Sequence, residues 1–217
     1  MKHLRILIKS AILVGLFLVP GLLHGQNKEE ISLLRSCAKG DRIQVRNILN
    51  DGVDPNTTDK SGTSALMYAA AKNHPAIIDM LAQYGADLNH TNREGNNAVI
   101  MSAFSGSADA LEALLENGAN PNSKVENGST ALHAATVRGD VACVQKLINH
   151  EVDVNVTDNN GVTPLMHAAA KGNNDIVSLL LENGAISEKE TNKGETAADW
   201  AMKRNHKNIA DLLSTGE

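Results

Sequence analysis

The chain has 217 residues, of which 42% are hydrophobic and 21% charged, a balance that is typical of a folded domain and excludes a mainly disordered chain. Its formal net charge is −5, and it contains no cluster of Lys and Arg of the kind that holds phosphates. We therefore expect no nucleic-acid partner.

Residues 1–25 have the pattern of a secretory signal peptide. They begin with basic residues, continue into an apolar run over residues 11–19, and break at Pro20. We expect cleavage near Gly25. The alternative, an uncleaved membrane anchor, needs about 20 apolar residues in a row, and Lys9 and Pro20 interrupt this stretch. The mature chain should then have no stable membrane insertion, and its 17 basic and 25 acidic residues give a net charge of −8.

Glycines recur along the chain with a period of 33 residues. A second set of positions keeps the same step and holds either Gly or Asn. A fixed period of this length indicates a solenoid, because each unit is too small to close a core alone and must stack on its neighbours. Such an array offers a long surface to a partner rather than an enclosed catalytic pocket. The two sets are Gly62, Gly95, Gly128, Gly161 and Gly194, and Gly40, Asn73, Gly106, Gly139, Gly172 and Asn205.

The repeat over residues 161–193 predicts two short helices. Thr163 is a suitable N-cap, Pro164 fits the first helical position, and Gly172 is expected to end the helix. The second helix has apolar residues at helical spacing over residues 176–181 and stops before a glycine.

Aligning the other copies on this one gives an all-α array over residues 26–217. The first and last copies carry polar residues on their outer sides, such as Gln44 and Asn47 in the first, as the ends of a solenoid must to stay soluble. We therefore predict an N-terminal capping repeat at 28–61, interior repeats at 62–94, 95–127, 128–160 and 161–193, and a truncated C-terminal capping repeat at 194–217.

The repeat pattern resembles that of the ankyrin family. The segments that carry the resemblance are Thr130-Ala131-Leu132-His133, Thr163-Pro164-Leu165, Ile176-Val177, Leu114-Leu115, and Gly85 to Asn89. The resemblance covers nearly all of the chain from Lys28 to Leu213, and it implies a solenoid of helix-turn-helix units with connecting β-turn fingers. The family pattern is broken in three places: Glu151 stands where a Gly is expected, Asn73-His74-Pro75 replaces an inner Gly, and Ile186 and Glu188 depart from the pattern of the fifth turn.

The two cysteines are predicted to be unpaired. Cys37 and Cys143 lie just over three repeats apart, which places their Cα atoms much farther apart than the roughly 7 Å that a disulfide allows. Each replaces a small or apolar residue in its register, so we expect buried, unreactive thiols.

Eight histidines raise the question of a metal or catalytic site. None forms a His-x-x-x-His pair, the cysteines form no Cys-x-x-Cys pair, and no glycine-rich phosphate loop is present. The resemblance gives His133 a structural hydrogen-bonding role, and we expect His90, His150 and His167 to be exposed to solvent. We assign no catalytic residue, no metal ligand and no cofactor, so the chain is predicted not to be an enzyme.

The resemblance implies that a ligand touches the turn tips and the exposed end of each first helix, on the concave face of the array. Two apolar residues and a column of cations fall at those helix ends, and an aromatic row lies one turn earlier. Together they suit a protein partner with an acidic surface and an apolar anchor. The alternative for the cations is a favourable interaction with the helix dipole. The predicted partner-binding residues are Tyr68, Lys72, Phe104, Val137, Arg138, Lys171, Trp200 and Arg204.

Four Asn-x-Ser/Thr sequons help to predict the cellular compartment of the protein. Three of their asparagines occupy the turn position that organises the finger, where a glycan would disrupt the fold, so a bacterial periplasm is favoured over a eukaryotic secretory route. The leading hypothesis is a periplasmic or secreted monomeric adaptor that binds another protein. The alternatives are an inhibitor or immunity protein that blocks an exported enzyme or toxin, and a secreted effector. The sequons begin at Asn56, Asn89, Asn127 and Asn155.

Overall fold

The structure is a computed structural model that describes residues 28–215, so the predicted signal peptide lies outside the described residues. Within this range the backbone forms twelve α-helices in six pairs and no β-strand. This confirms the predicted all-α helical solenoid fold. The chain divides into two compact units, the first ending at Asn120 and the second beginning at Pro121.

The first unit contains three helix pairs. Its helices are α1 (Lys28–Lys39), α2 (Arg42–Asn50), α3 (Ala65–Ala71), α4 (Pro75–Gln83), α5 (Ala98–Ser105) and α6 (Ala108–Glu116). The first helices of the pairs pack in the order α1, α3, α5, and the second helices pack in the order α2, α4, α6. Each helix therefore buries one face against its own partner and another against the next pair.

The second unit repeats this arrangement. Its helices are α7 (Ala131–Arg138), α8 (Val141–Asn149), α9 (Pro164–Lys171), α10 (Asn174–Glu182), α11 (Ala197–Lys203) and α12 (Lys207–Thr215). Helix α9 packs between α7 and α11, while α8 packs against α10 and α12 against α11.

The helix boundaries follow from local chemistry. The Thr163 side chain accepts a hydrogen bond from the Met166 amide at 3.3 Å, and Pro164 is the first residue of α9. Gly172 ends that helix with φ 75°, in the left-handed region that a residue without a Cβ adopts at little cost. These caps are as predicted from the sequence.

Columns of aliphatic side chains form the core between successive pairs. Leu66, Leu132 and Leu165 in the first helices are at most 2% exposed. Cys37 and Cys143 are buried and form no disulfide, which confirms the prediction for both. Burial raises the pKa of each thiol to about 12, so neither forms a reactive thiolate at neutral pH.

Asparagine side chains tie successive turns together within each unit. Asn56 Oδ1 accepts a hydrogen bond from the Asp87 amide at 2.7 Å. In the second unit, Asn155 Oδ1 accepts from the Ile186 amide and Asn155 Nδ2 donates to the Gly184 carbonyl, both at 2.8 Å. Because the amide oxygen and nitrogen are both used, a glycan on Asn155 Nδ2 would crowd the Gly184 carbonyl to which this nitrogen donates.

Glu151 is strained by its backbone conformation. It has φ 57°, whereas the glycines at the same repeat position have φ of 85° to 90°. A residue with a Cβ pays about 1–2 kcal/mol in this region. The repeat position is held elsewhere by Gly52, Gly85, Gly118 and Gly184.

Replacing Glu151 with Gly should therefore raise the free energy of unfolding by about 1 kcal/mol, because the relief of strain exceeds the added entropy of glycine in the unfolded chain. Thermal or denaturant unfolding measures the change. The matched control is Glu151→Ala, which removes the same charge and keeps a Cβ. Equal stabilisation by both variants would show that the charge, and not the backbone, is at fault.

Candidate protein-binding surface

The predicted partner-binding residues lie at the middle or in the C-terminal half of the first helices, or at their C-caps, and we call this set of residues the first-helix surface. Its four cations are exposed, and its apolar and aromatic members are partly buried. The first unit holds Tyr68, Lys72 and Phe104, and the second holds Val137, Arg138, Lys171, Trp200 and Arg204.

In the first unit, Tyr68 connects helix α3 to the preceding turn. Its hydroxyl donates to Asp59 Oδ2 at 2.9 Å, while Asp59 Oδ1 accepts from the amides of Ser61 and Thr63. Burial and the Asp59 carboxylate both raise the pKa of Tyr68, so it stays neutral. Its ring is therefore anchored to the turn, and Lys72 follows four residues later as the C-cap of the same helix.

Two cations of the second unit are engaged within the chain. Lys171 Nζ donates to the carbonyl oxygens of Val137 at 2.5 Å and Arg138 at 3.0 Å. It thus satisfies carbonyls at the end of α7, the preceding first helix, where a positive charge is favoured by the helix dipole. Arg138 Nε lies 3.8 Å from Asp140 Oδ2. Arg204 is exposed and has no hydrogen bond or ion pair to any described residue.

Three aromatic rings from successive first helices stack edge to face in the second unit. The ring of His167 lies 6.0 Å from that of His133 and 5.7 Å from that of Trp200, with interplanar angles of 85°. The expectation that His167 is exposed is wrong, because the ring is partly buried between its two neighbours. Burial, helped by the nearby His133, lowers the pKa of His167 to about 4.

His133 has the structural role expected from the family resemblance. Its Nδ1 pairs with the backbone amide of Thr130 at 3.2 Å, and its Nε2 lies 3.0 Å from the Val162 carbonyl of the next repeat. His90 contacts the start of its own repeat, with Nε2 2.8 Å from the Gly62 carbonyl, so it too is less exposed than expected.

Two polar side chains, Glu195 and Lys203, fix Trp200 at the other end of the ring stack. Its Nε1 donates to Glu195 Oε2 at 3.0 Å, and Lys203 Nζ pairs with the other carboxylate oxygen. The Lys203 hydrogen bond is the main reason that the pKa of Glu195 is lowered, so the carboxylate stays ionised. The indole is thus fixed at its polar edge and by its contact with His167.

The described residues hold no arrangement that points to catalysis or metal binding. No group of three or more His, Cys, Asp or Glu side chains in residues 28–215 could hold a metal ion. Among these same residues no helix combines the length and the apolar composition that crossing a bilayer requires. What the surface offers is fixed aromatic rings beside exposed cations.

Comparisons with known proteins identify the family. A model of ankyrin repeats in three copies matches residues 33–125 and 132–217, and a second model of many ankyrin copies matches residues 103–148. The chain therefore belongs to the ankyrin repeat family. It is similar to the crystal structure of EF0377, an ankyrin repeat protein, with 29% identity over 87% of this chain and 98% of the other, at a TM-score of 0.78. No curated protein matches the chain.

Ankyrin repeats generally mediate protein–protein interaction. Sequence reasoning identified the row that contains His167 and Trp200, but it did not foresee their stacking on His133 or the hydrogen bonds formed by Glu195 and Lys203. The spacing of 33 residues between His167 and Trp200 is the signal that could have revealed the stack, because residues in one register of adjacent repeats are neighbours.

Proposed function

We propose that this chain is a non-enzymatic, exported ankyrin adaptor that binds another protein through its first-helix surface. The observation that carries the proposal is the combination of fixed aromatic rings with exposed cations on that surface. Trp200 is held by Glu195 and His167, and Arg204, four residues farther along the chain, has no partner among residues 28–215. Rigid aromatic and arginine side chains are the residue types that dominate binding energy at protein interfaces.

The partner proposed is a protein with an acidic surface and an apolar anchor. Exposed Lys72 and Arg204 would face its carboxylates. Phe104 in the first unit and Val137 in the second would each offer it an apolar contact. Cations at the rim of such an interface speed association and exclude partners of the same charge. The engagement of Lys171 with backbone carbonyls leaves it a smaller part in this recognition.

Export rests on residues 1–25 and on the sequons in the turns. A basic start followed by an apolar run favours secretion, and the hydrogen bonds of Asn56 and Asn155 argue against a compartment in which those side chains would be glycosylated. We propose a bacterial periplasmic or secreted location for the monomeric chain.

Crosslinking of the mature domain in intact cells, followed by identification of the crosslinked protein and measurement of its affinity, tests the proposal. Phe104→Asp and Arg204→Glu together should weaken that affinity by roughly thirtyfold or more, as the loss of central interface residues does. The control for the Arg204→Glu part is Lys207→Glu, which makes the same charge change as that substitution on exposed α12, away from the first-helix surface.

Unchanged affinity in the double variant, with unchanged thermal unfolding, would show that the first-helix surface is not the binding site. The rival functions have their own readouts. If the captured protein is an enzyme or toxin and loses its activity in the complex, the chain is an inhibitor or immunity protein. Recovery of the chain chiefly from culture medium would favour a secreted effector.

A further inference from the structure

Helix α2 of the first repeat presents two arginines and an isoleucine to solvent. Ile43 is 76% exposed, and Arg42 and Arg46 are exposed beside it. Neither guanidinium has a hydrogen bond or ion pair with any residue in the range 28–215. We call these three residues the α2 patch. Arg138 and Lys171 have partners within the chain, whereas the cations of the α2 patch have none among the described residues.

At two of its three positions, Ile43 and Arg46, the α2 patch departs from the chemistry of the other repeats. The residues in register with Ile43 are small or polar, so a large apolar side chain occurs there only in the first repeat. The residues in register with Arg46 are acidic or neutral, so the first repeat alone carries a positive charge there. Those in register with Ile43 are Ala76, Asp109, Ala142, Asp175 and Asn208, and those in register with Arg46 are Asp79, Glu112, Gln145, Ser178 and Asp211.

Folding alone does not account for these residues. Arg42 is the first residue of α2, where the helix dipole disfavours a cation, whereas the cations of the first-helix surface lie at favourable C-terminal ends. The outer face of a terminal repeat is expected to be polar for solubility, and Gln44 and Asn47 meet that requirement. An isoleucine that is three-quarters exposed beside them adds nothing to the core.

The two arginines line open depressions on both sides of the helix. One, of about 670 Å³, is formed by the N-terminal part of α2 and includes Ile43, and the other, of about 340 Å³, lies between α2 and α4 and includes Asp79 and Tyr84. The carboxylates beside them are already bonded. Asp41 accepts from the Gln44 amide at 3.0 Å, and Asp79 accepts from Asn117 Nδ2 at 2.8 Å.

We propose that the α2 patch is a second protein-docking surface, which binds an acidic peptide segment of a partner that carries one large apolar side chain. The carboxylates of the segment would pair with Arg42 and Arg46, which lie one helical turn apart, and the apolar side chain would cover Ile43. Charge decides between occupants. The chain's own residues 1–25 contain three Lys and Arg and no acid, so they are repelled by this patch.

The test uses a fluorescein-labelled glutamate-rich peptide with a single leucine as the probe, and fluorescence anisotropy as the readout. Arg42→Glu with Arg46→Glu should weaken binding of the probe at least about tenfold, and Ile43→Ser should weaken binding of this peptide but not of a leucine-free version. The midpoint temperature of thermal unfolding should be unchanged or slightly higher in the Arg42→Glu variant, because a carboxylate is favoured at the start of a helix.

The matched control is Arg35→Glu with Lys39→Glu, which makes the same charge change on exposed α1 of the same repeat, on the first-helix side. Loss of binding in the α2 variants but not in the control supports the proposal. Equal loss in both, or loss in the control alone, overturns it, and loss in the control alone would leave the proposed function of the first-helix surface intact. Binding of anionic lipid vesicles or dimerisation through these residues, without peptide binding, also overturns it.

Discussion

Replacing Gly128 with alanine should lower the free energy of unfolding by about 3–4 kcal/mol. Gly128 has φ 81°, where a residue with a Cβ is strained by about 1–2 kcal/mol. A Cβ at this position would also lie 2.9 Å from the backbone nitrogen of Asn159 and 2.4 Å from its Oδ1. Overpacking of this kind costs about 1–3 kcal/mol.

The neighbouring turn cannot move aside cheaply because it is hydrogen-bonded to the turn that holds Gly128. The Asn159 amide donates to the Asn127 carbonyl at 2.9 Å, and Asn159 Nδ2 donates to the Glu126 carbonyl at 3.0 Å. Relief of the clash would break one or both bonds. Denaturant unfolding followed by circular dichroism measures the loss.

The control separates backbone strain from steric contact. Gly184→Ala lies in the same unit with φ 85°, and a Cβ there would meet nothing within 4 Å. It should cost only the roughly 1–2 kcal/mol of the left-handed backbone. If both variants lose the same free energy, contact between successive turns does not limit the choice of residue at Gly128.

The repeat period and the caps could be predicted from sequence because the same residue types recur at the same positions in successive repeats. Thr163, Pro164 and Gly172 have local roles that depend on a few neighbouring residues, and the structure shows all three in those roles. Glu151 was identifiable as a departure because the other copies define what the position requires. Local signals that recur in several copies therefore determine most of this fold.

The candidate surfaces were harder to predict because they depend on which groups of the neighbouring repeat the long side chains contact. Lys171 donates hydrogen bonds to carbonyls at the end of α7. The sequence around Lys171 does not indicate these contacts. The α2 patch was missed for another reason. Gln44 and Asn47 identified the first repeat as a polar cap, whereas the exposure of Ile43 depends on which face of α2 lacks a neighbour.

Acidification from about pH 6.5 to about pH 4 should destabilise the second unit through His167. Its pKa falls from the ordinary 6.5 in the unfolded chain to about 4 in the folded protein, chiefly because the ring is buried, and also because His133 lies beside it. Below pH 6.5 the unfolded state therefore binds a proton that the folded state does not. The free energy of unfolding therefore falls as the pH drops below 6.5 and stops falling below about pH 4. The total loss is on the order of 3 kcal/mol.

His133 should add to this loss, since burial also lowers its pKa, while the partial negative charge of the Val162 carbonyl and the nearby Asp158 oppose the shift. The two histidines also repel each other once protonated, so they titrate as a pair. Measured unfolding free energies across this pH range should therefore fall more steeply than a single histidine gives.

His167→Phe should remove most of the acid loss, because phenylalanine keeps the edge-to-face contacts with His133 and Trp200 and has no proton to gain. The measurement is the free energy of unfolding from denaturant titrations at a series of pH values. His150→Gln, in the same unit but outside the ring stack, should leave the loss attributed to His167 in place. An unchanged pH profile in His167→Phe would mean that the stacked ring accepts its proton as readily in the folded protein as in the unfolded chain.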